Sequence, residues 1–395
     1  MKGILYTAGL ILVFMGGAGY AGGYEAAIAA LSARDARTGV AQLRRHLQAH
    51  PEDHRARRLL VVIMRGAGAH RVAKPHLRHL IAFDKGRART ALYVQAYQEA
   101  VASDPVYFKA HFALLPSSNV YRRAEDGQFH FGALGAVRVG GRAKTGMGMR
   151  YGLSMGAEKI LDSGLRIFSM SRFTQDHYGD ALLRKRHYLM QLGISGFADP
   201  VPWGLTYSKL GMMDTVSVGQ ASSMFHSEKI RTDVTLKQTL SGSRSMSFTL
   251  EKRSYPERRG LDFKAISVNA RQEWKLGKGR SRALDIHVSR NKARFGYHGY
   301  MGGGVVFSET FVPRPGERFQ GYIEANLRAY SEPYPLQNVT RRDVQFAVGF
   351  NYHIGRVRWK TMTPVVGCSA SRNRSNIALY TMKSIDCMLR VEKTF

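Results

Sequence analysis

The sequence has few cysteines, few prolines and little acidic charge for its length. Two cysteines among 395 residues exclude a disulfide-dense scaffold and a zinc site built on several thiolates. The 12 prolines stand beside 41 glycines, a ratio that favours turns and strands over a proline-rich linker protein. Beyond the N-terminus, no apolar stretch approaches the ~18 residues that indicate a membrane-spanning helix, so no second helical span is predicted.

The scarcity of acidic residues gives the chain a strongly basic balance. There are 29 Asp and Glu residues against 59 Lys and Arg residues, so the formal net charge is +30. Such a charge first suggests a nucleic-acid partner. Hydrophobic residues make up 44% of the chain, and Tyr and Phe occur 19 times each, which is too apolar for a disordered polycation. The chain is therefore expected to fold, and its length allows two domains.

Residues 1–21 have the three-part pattern of a secretory signal peptide. Lys2 precedes an apolar run from Ile4 to Met15, and small residues then lead to Ala21. An uncleaved membrane anchor is the alternative, although the run is shorter than the ~20 residues that a spanning helix needs. No cysteine directly follows the run, so the mature chain is not expected to be a lipoprotein. Export argues against nucleic acid as the partner.

Residues 22–115 are predicted to form a small helical domain. Apolar residues recur there at three- and four-residue spacing, as at Val40, Leu43 and Leu47. Antiparallel helix pairs of this kind resemble degenerate tetratricopeptide repeats, although three full copies do not fit. Such helices either bind extended partner segments or form a structural cap, and both possibilities stay open. The arginines that could attract acidic partner segments are Arg44, Arg45, Arg55, Arg57 and Arg58.

From Phe129 onward, the hydrophobic period changes from that of a helix to that of a strand. In residues 318–330 and 343–354, apolar residues alternate with polar or small ones. Strands with one apolar and one polar face form either a soluble sandwich or a membrane barrel. The signal peptide and the strand lengths near ten favour a transmembrane β-barrel with a lipid-facing outside and a wet inside.

The C-terminal strand points to a bacterial outer-membrane barrel. Ile385 and Leu389 lie on one face of an alternating segment, and the chain ends on Phe395. A terminal aromatic residue on such a strand resembles the closing-strand signal that the barrel assembly machinery reads in bacterial outer-membrane barrels. The pattern predicts about 14 antiparallel strands, since bacterial single-chain barrels have even strand counts.

The predicted organisation has four parts. A signal peptide at 1–21 precedes the helical domain at 22–115, which is expected to lie in the periplasm. A junction at 116–127 then leads into the outer-membrane barrel at 128–395. Within the barrel, residues 201–226 are consistent with either one long strand or two short ones.

Short motifs at four places carry a family resemblance. One lies where the helices are expected to give way to the barrel, one opens a strand, one lies in the following strand, and one lies in the final turn. The family-matching positions are Ser117, Ser118, Asn119, Arg341, Arg342, Asp343, Pro364, Ser375 and Asn376. In this order they resemble the surface lipoprotein assembly modulator family of bacterial outer-membrane proteins.

The resemblance implies transport of proteins. A member of this family would help to deliver a surface lipoprotein or a secreted protein from the periplasm to the cell surface. The helical domain would meet this client, the barrel would provide the route, and residues 117–119 would set the helices against the periplasmic mouth. Lipopolysaccharide and outer-membrane lipid are further expected partners, because Arg and Lys at barrel rims pair with phosphates. No nucleic-acid partner is expected.

Two other functions stay open. A diffusion porin for small anionic solutes would need a lumen lined by Arg and Lys, but it would not need a helical domain. A structural or assembly factor would use the barrel only to anchor the helices.

No enzyme, cofactor or metal site is predicted, since no catalytic constellation and no phosphate-binding loop is recognisable. His76 and His79 lie three residues apart on a helix, a spacing that favours a solvated basic face over a metal site. Cys368 and Cys387 lie symmetrically about the final turn, so they could form a disulfide across the last hairpin. Two unbridged, lipid-facing thiols are the alternative.

Overall fold

The structure is a computed structural model in which five helices are followed by a closed barrel. It describes residues 21–50, 53–83, 89–124, 128–130, 136–138, 144–161, 165–179, 184–198, 201–217, 220–239, 241–277, 279–313, 317–335, 337–355 and 362–394. The predicted signal peptide lies outside this range except for Ala21, and the predicted closing aromatic, Phe395, lies outside it as well.

The helices occupy the N-terminal quarter of the chain. They are α1 (Ala21–Ser32), α2 (Ala36–Ala49), α3 (His54–Gly66), α4 (His70–Phe83) and α5 (Arg89–Ser103). Aspartates fix two of the starts: Asp35 accepts a hydrogen bond from the backbone N–H of Thr38, and Asp53 accepts from those of Arg55 and Ala56. No helix among the described residues is long and apolar enough to cross a membrane.

One apolar core joins all five helices. Each helix contributes its buried face, with Leu43, Leu60, Leu77 and Leu80 fully enclosed. Each helix packs against the next along the chain, as expected of antiparallel neighbours joined by short connections. Whether these helices are tetratricopeptide-like repeats stays a prediction.

After the helices, the described chain forms a closed antiparallel barrel of 14 strands, which confirms the predicted fold. The barrel strands are β1 (Val106–Ser117), β4 (Gly146–Ile160), β5 (Arg166–Tyr178), β6 (Lys185–Ala198), β7 (Val201–Ser217), β8 (Gln220–Thr239), β9 (Gly242–Ser254), β10 (Phe263–Gly277), β11 (Arg280–Ala293), β12 (Tyr300–Phe311), β13 (Arg318–Tyr334), β14 (Val339–His353), β15 (Thr363–Ser375) and β16 (Met382–Thr394). β1 pairs with both β4 and β16, which closes the barrel.

The structure places the domain boundary earlier than the sequence prediction does. Residues Val106–Ser117 were assigned to the helical domain and the junction, but they form the first barrel strand. Inside the predicted barrel region, β2 (Gln128–His130) and β3 (Ala136–Arg138) instead form a separate two-stranded sheet. The helical domain therefore ends at Ser103, and residues 201–226 belong to two strands, β7 and β8.

The strands turn their apolar side chains outward. On β4, Met149, Tyr151 and Leu153 are exposed, whereas Ser154 is buried and Arg150 half-buried on the opposite face. Side chains of a strand alternate between its two faces, so polar residues line the lumen and apolar residues face the membrane. This is the arrangement predicted for a transmembrane barrel.

The two ends of the barrel differ in what they carry. We name the end at which β1 starts and β16 finishes the terminal rim, and the opposite end the distal rim. At the terminal rim, the helical core packs against Ile160 of β4, and Gln98 of α5 donates a hydrogen bond to the carbonyl oxygen of Leu161. The helical domain thus lies on the terminal rim.

Glu158 of β4 is the main ionic link between the two domains. Its carboxylate lies 3.2 Å from Lys74 Nζ and 2.9 Å from Arg78 Nη2, both on α4, and 2.7 Å from Arg166 Nε on β5. Three cations therefore converge on one largely buried carboxylate. Lys74 also lies 3.9 Å from Asp104, in the short connection between α5 and β1.

A second contact lies at the turn between β10 and β11. A Cβ added at Gly279 would lie 3.6 Å from the carbonyl oxygen of Gln48, which places the end of α2 against this turn. Around the barrel, β4 and β10 are separated by five strands on one side and seven on the other. Since elements on nearly opposite sides of the barrel both contact the helices, the helical domain extends across the opening at the terminal rim.

Candidate functional site: a basic cavity in the lumen

The lumen wall formed by β1, β4, β5, β6, β7 and β16 contains a basic cavity of about 330 Å³. Side chains alternate along each strand, so a residue between two outward-facing neighbours points into the lumen. Arg150, for example, lies between the outward-facing Met149 and Tyr151. The cavity lining includes no Asp or Glu among the described residues. Its basic lining residues are Lys109, His111, Arg150, Arg172, His187 and Arg390.

One arginine of the cavity is held by a carboxylate. Arg150 donates from Nε to Asp176 Oδ1 at 2.6 Å and from Nη2 to Asp176 Oδ2 at 2.7 Å. The two oxygens and two nitrogens form the paired geometry that suits a guanidinium and a carboxylate. His187 Nε2 lies 3.8 Å from the same carboxylate. This pair fixes the position of Arg150 and neutralises its charge.

Two other arginines contribute charge that no described ion pair balances. Arg172 donates a hydrogen bond to the hydroxyl of Ser154 at 3.3 Å, and its side chain is exposed although it points into the lumen. Arg390 is half-buried, and its Nε has no hydrogen-bond partner among the described residues. An arginine keeps its charge at any physiological pH, so this wall presents lasting positive charge to the lumen.

The sequence alone did not indicate this cavity. Its residues come from six strands, and its basic residues share only the inward parity of their own strands. Lys109 and His111 were also hidden because their strand was assigned to the helical domain. The signal in the sequence was a basic residue at a polar position of a strand in which apolar and polar residues alternate, as at Arg172.

Part of the family-matching set lies around a clasp at the distal rim, namely Arg341, Asp343, Ser375 and Asn376. Arg341 Nε donates to Asp343 Oδ1 at 2.9 Å, and both side chains are buried. The Arg341 guanidinium lies over the rings of Tyr330 and Tyr380, 4.3 Å and 3.2 Å from their centroids. The clasp therefore ties the ends of β13 and β14 to the turn before β16.

Asn376 extends this clasp to the neighbouring turn. Its side chain accepts from the backbone N–H of Arg342 at 2.7 Å and donates to the carbonyl oxygen of Thr340 at 2.8 Å. Ser375 accepts from the backbone N–H of Ile377 within the turn. These residues form a structural unit that closes the β14–β15–β16 edge of the distal rim.

Residues 117–119 do not join the helices to the barrel, because they lie at the distal rim, a whole strand away from the helices. Ser118 Oγ accepts from the backbone N–H of Ile385 at 2.7 Å, and the Asn119 side chain donates to the carbonyl oxygen of Lys383 at 3.1 Å. Asn119 is almost fully buried. The motif therefore fastens the long connection after β1 to the closing strand, β16, which is a correction to its predicted role.

The helical arginines do not form one exposed surface. Arg57 is buried and hydrogen-bonds His76 at 3.2 Å, and Arg44 donates to the sulfur of Met64. Arg45 and Arg55 are exposed, and Arg58 is half-buried. Only part of the predicted partner-binding set is thus available on the surface.

His76 and His79 of α4 are half-buried, so they do not form the solvated face that the spacing suggested. Burial, together with the positive charges of Arg57 and Arg44, lowers the pKa of His76 to about 4. Burial, reinforced by Arg57 and Lys275, lowers the pKa of His79 to about 3. Both rings are therefore neutral at physiological pH. Within the described residues, no cluster of His, Cys, Asp and Glu could hold a metal ion.

The remaining predicted positions lie in β15 and β16. Cys368 and Cys387 are directly paired in the strand register and form a disulfide. The register pairs Cys368 with the outward-facing Phe350, so the disulfide lies on the membrane-facing surface. Pro364 is the second residue of β15, and its carbonyl oxygen accepts from the backbone N–H of Ile354.

Comparisons with known proteins give only distant structural similarity. Neither the protein-family models nor the curated protein sequences give a match. Among solved structures, the chain is similar to OpdQ of Pseudomonas aeruginosa (TM-score 0.38, 8% identity, 74% of this chain and 98% of that one). It is also similar to an anion-selective porin from Comamonas acidovorans (0.37, 8%, 73% and 98%) and to a loop-deleted OmpT of Vibrio cholerae (0.39, 7%, 73% and 99%). Similarity at this level carries no argument about function.

Proposed function

We propose that the barrel is an outer-membrane channel for small anionic solutes. The observation that carries this proposal is the basic lumen cavity, where Arg172 and Arg390 present charge that no described carboxylate balances. Charge of one sign on the wall of a narrow, low-dielectric passage concentrates the opposite ion and repels like ions. The lumen should therefore favour anions over cations of equal size.

We propose that the terminal rim and the helices face the periplasm. Bacterial outer-membrane barrels have short turns on the periplasmic side and longer loops outside. At the terminal rim, the longest connection between strands is residues 354–362, and residues 199–200, 240–241 and 278–279 are among the shortest. At the distal rim, the longest connection is residues 118–145, between β1 and β4. The helices across the terminal rim would then screen which solutes leave toward the periplasm.

Solute uptake by liposomes tests the channel directly. The purified chain is reconstituted, and swelling is compared for organic anions and cations of matched size. We expect faster swelling with the anions, and the difference should shrink as added salt screens the wall charges. Equal rates for both solutes, or swelling no faster than in empty liposomes, would contradict the proposal.

Protein translocation is a second candidate, supported by the helical domain across the terminal rim. Simple diffusion does not require such a domain, and helices of this kind can hold extended segments of a client. In this function, the helices would receive a lipoprotein or secreted protein and the barrel would pass it to the surface.

Protease shaving of intact cells tests this candidate. We expect cells without the protein to lose one or more surface-exposed proteins, and a chain lacking residues 22–103 should not restore them. The deletion has to end at Ser103, because Val106–Ser117 is a barrel strand. An unchanged pattern of surface proteins would reject translocation and leave the channel function standing.

A further inference from the structure

Three lysines form a row on the outside of the barrel at the distal rim. Lys264 of β10 is directly opposite Lys252 of β9 on one side and Lys292 of β11 on the other. Neighbouring strands lie ~4.8 Å apart, so the row spans about 10 Å. Arg290 lies on the same face of β11 as Lys292, two residues before it and therefore nearer the middle of the barrel. It is directly opposite Ile266.

The strand alternation places these side chains on the membrane-facing surface. An exposed apolar residue lies two positions away from a basic one on each of the three strands, and so on the same face. These apolar residues are Leu250 on β9, Ile266 on β10 and Val288 on β11. Lys252, Lys264, Arg290 and Lys292 are likewise exposed. The row therefore lies where the apolar outer surface of the barrel meets its distal rim.

Like charges directly opposite each other on one face of a sheet are destabilising. Glu228 of β8, directly opposite Lys252, is the nearest carboxylate on this row in the described register. None of the ion pairs among the described residues involves Glu228 or any of the four basic residues of this patch. Lys264 and Lys292 thus have no carboxylate directly opposite them, and in the described register Glu228 is the single acidic residue that faces the three ammonium groups.

The outward face at the terminal rim is built differently. There, Arg280 and Arg282 of β11 both pair with Glu309 of β12, at 2.6 Å and 3.2 Å. The same strand, β11, therefore carries two arginines that share one carboxylate at one end, and at the other end basic residues that none of the described ion pairs involves. This difference indicates that the distal charges are matched by something outside the chain.

We propose that the Lys252–Lys264–Lys292 row, with Arg290, binds the phosphate groups of an anionic lipid in the surrounding membrane leaflet. Lysine and arginine form charge-assisted hydrogen bonds with phosphate oxygens, and phosphates would relieve the repulsion along the row. The apolar residues directly below the row favour a lipid over free phosphate, since acyl chains would cover Leu250 and Ile266. This site is independent of whether the barrel passes solutes or proteins.

Lipid binding to purified protein tests the site. The full chain in zwitterionic detergent is titrated with diphosphorylated lipid A, with the same lipid after dephosphorylation and with inorganic phosphate, and bound ligand is counted by native mass spectrometry. The test variant is K252Q/K264Q/K292Q. The matched control, R244Q/R280Q/R282Q, removes the same number of positive charges from the outward face at the terminal rim.

We expect the wild type and the control to bind diphosphorylated lipid A alike. The triple-lysine variant should bind on the order of a hundredfold more weakly, since each basic residue contributes about fivefold to affinity for anionic lipid. Without lipid, this variant should unfold at the same temperature as wild type or above it, because the repulsion is gone. Equal lipid binding by both variants, undiminished binding of the dephosphorylated lipid, or equally tight binding of inorganic phosphate would overturn the proposal.

Discussion

The helical domain buries its apolar side chains in a core, whereas the barrel turns the same residue types outward. Leu77 in α4 is fully enclosed by other helices, whereas Leu153 in β4 is 65% exposed on the membrane-facing surface. The interior of the barrel instead holds ion pairs such as Arg341–Asp343. The helices are therefore stabilised by an apolar core, and the barrel by its closed backbone ladder and by polar clasps inside. This comparison predicts which substitutions each region tolerates.

The largest effect is expected at the polar clasp of the distal rim. Arg341→Ala leaves Asp343 buried without its partner, which should cost about 3–5 kcal/mol of barrel stability. The matched control is Arg342→Ala, because the neighbouring Arg342 is exposed and contributes its backbone N–H to Asn376. Denaturant unfolding, followed by the mobility shift of the folded barrel in gels, measures both. Equal losses for the two variants would show that the clasp does not stabilise the barrel.

Leucine truncation contrasts the two regions most clearly. Leu77→Ala should destabilise the helical domain by about 2–5 kcal/mol, since it leaves a cavity in a closed core. Leu153→Ala on the outer surface of β4 should cost less, because detergent or lipid fills the space. Circular dichroism during thermal unfolding measures the helices, and gel mobility measures the barrel. A larger loss from the Leu153 variant would reverse the comparison.

The contact between the two regions depends on Glu158. Glu158→Gln weakens its contacts to Lys74 and Arg78 and should cost about 1.5–3 kcal/mol at the interface. We expect limited trypsin to cleave the helices faster while the barrel stays folded. Glu309→Gln is the control, because Glu309 pairs with barrel arginines only. Unchanged cleavage in the Glu158 variant would mean that other contacts hold the helices in place.

Acid should unfold the helices before the barrel. His76 has a pKa of about 4 in the folded chain and 6.5 when unfolded. The unfolded state therefore binds protons first, so stability is retained above pH 6.5 and falls as the pH drops toward 4. At pH 5 this one group should cost about 2 kcal/mol. A thermal unfolding series from pH 7.5 to 4.5 measures the slope, and His76→Gln should flatten it. A helical domain that is equally stable at pH 5 and 7 would contradict this.

Local alternation in the sequence was enough to predict the barrel and its outward faces. The period of two in residues 318–330 and 343–354 gave the membrane-facing residues, because that pattern follows from the strand geometry itself. The boundary was harder to predict. Leu114 and Leu115 suit a helix as well as a strand, and no strong break separates α5 from β1 apart from Pro105.

The site depends on pairings that lie far apart in the chain. Arg172 and Arg390 meet in one cavity only because β1 joins β16 to β4, and local spacing carries no information about that closure. The same holds for Asn119, which was predicted to lie beside the helices. It follows β1, and because that strand runs from the terminal rim to the distal rim, Asn119 lies at the end of the barrel away from the helices. The pairing of Cys368 with Cys387 could be anticipated, because it depends on a single hairpin.

Ion selectivity tests the central claim most directly. Reversal potentials are recorded across planar bilayers under a salt gradient for the wild type, for R172Q/R390Q and for the outward-facing control R244Q/R282Q. We expect an anion-selective wild type, a lower anion-to-cation permeability ratio in R172Q/R390Q and an unchanged ratio in the control. A cation-selective wild type, or the same ratio in all three proteins, would contradict this claim.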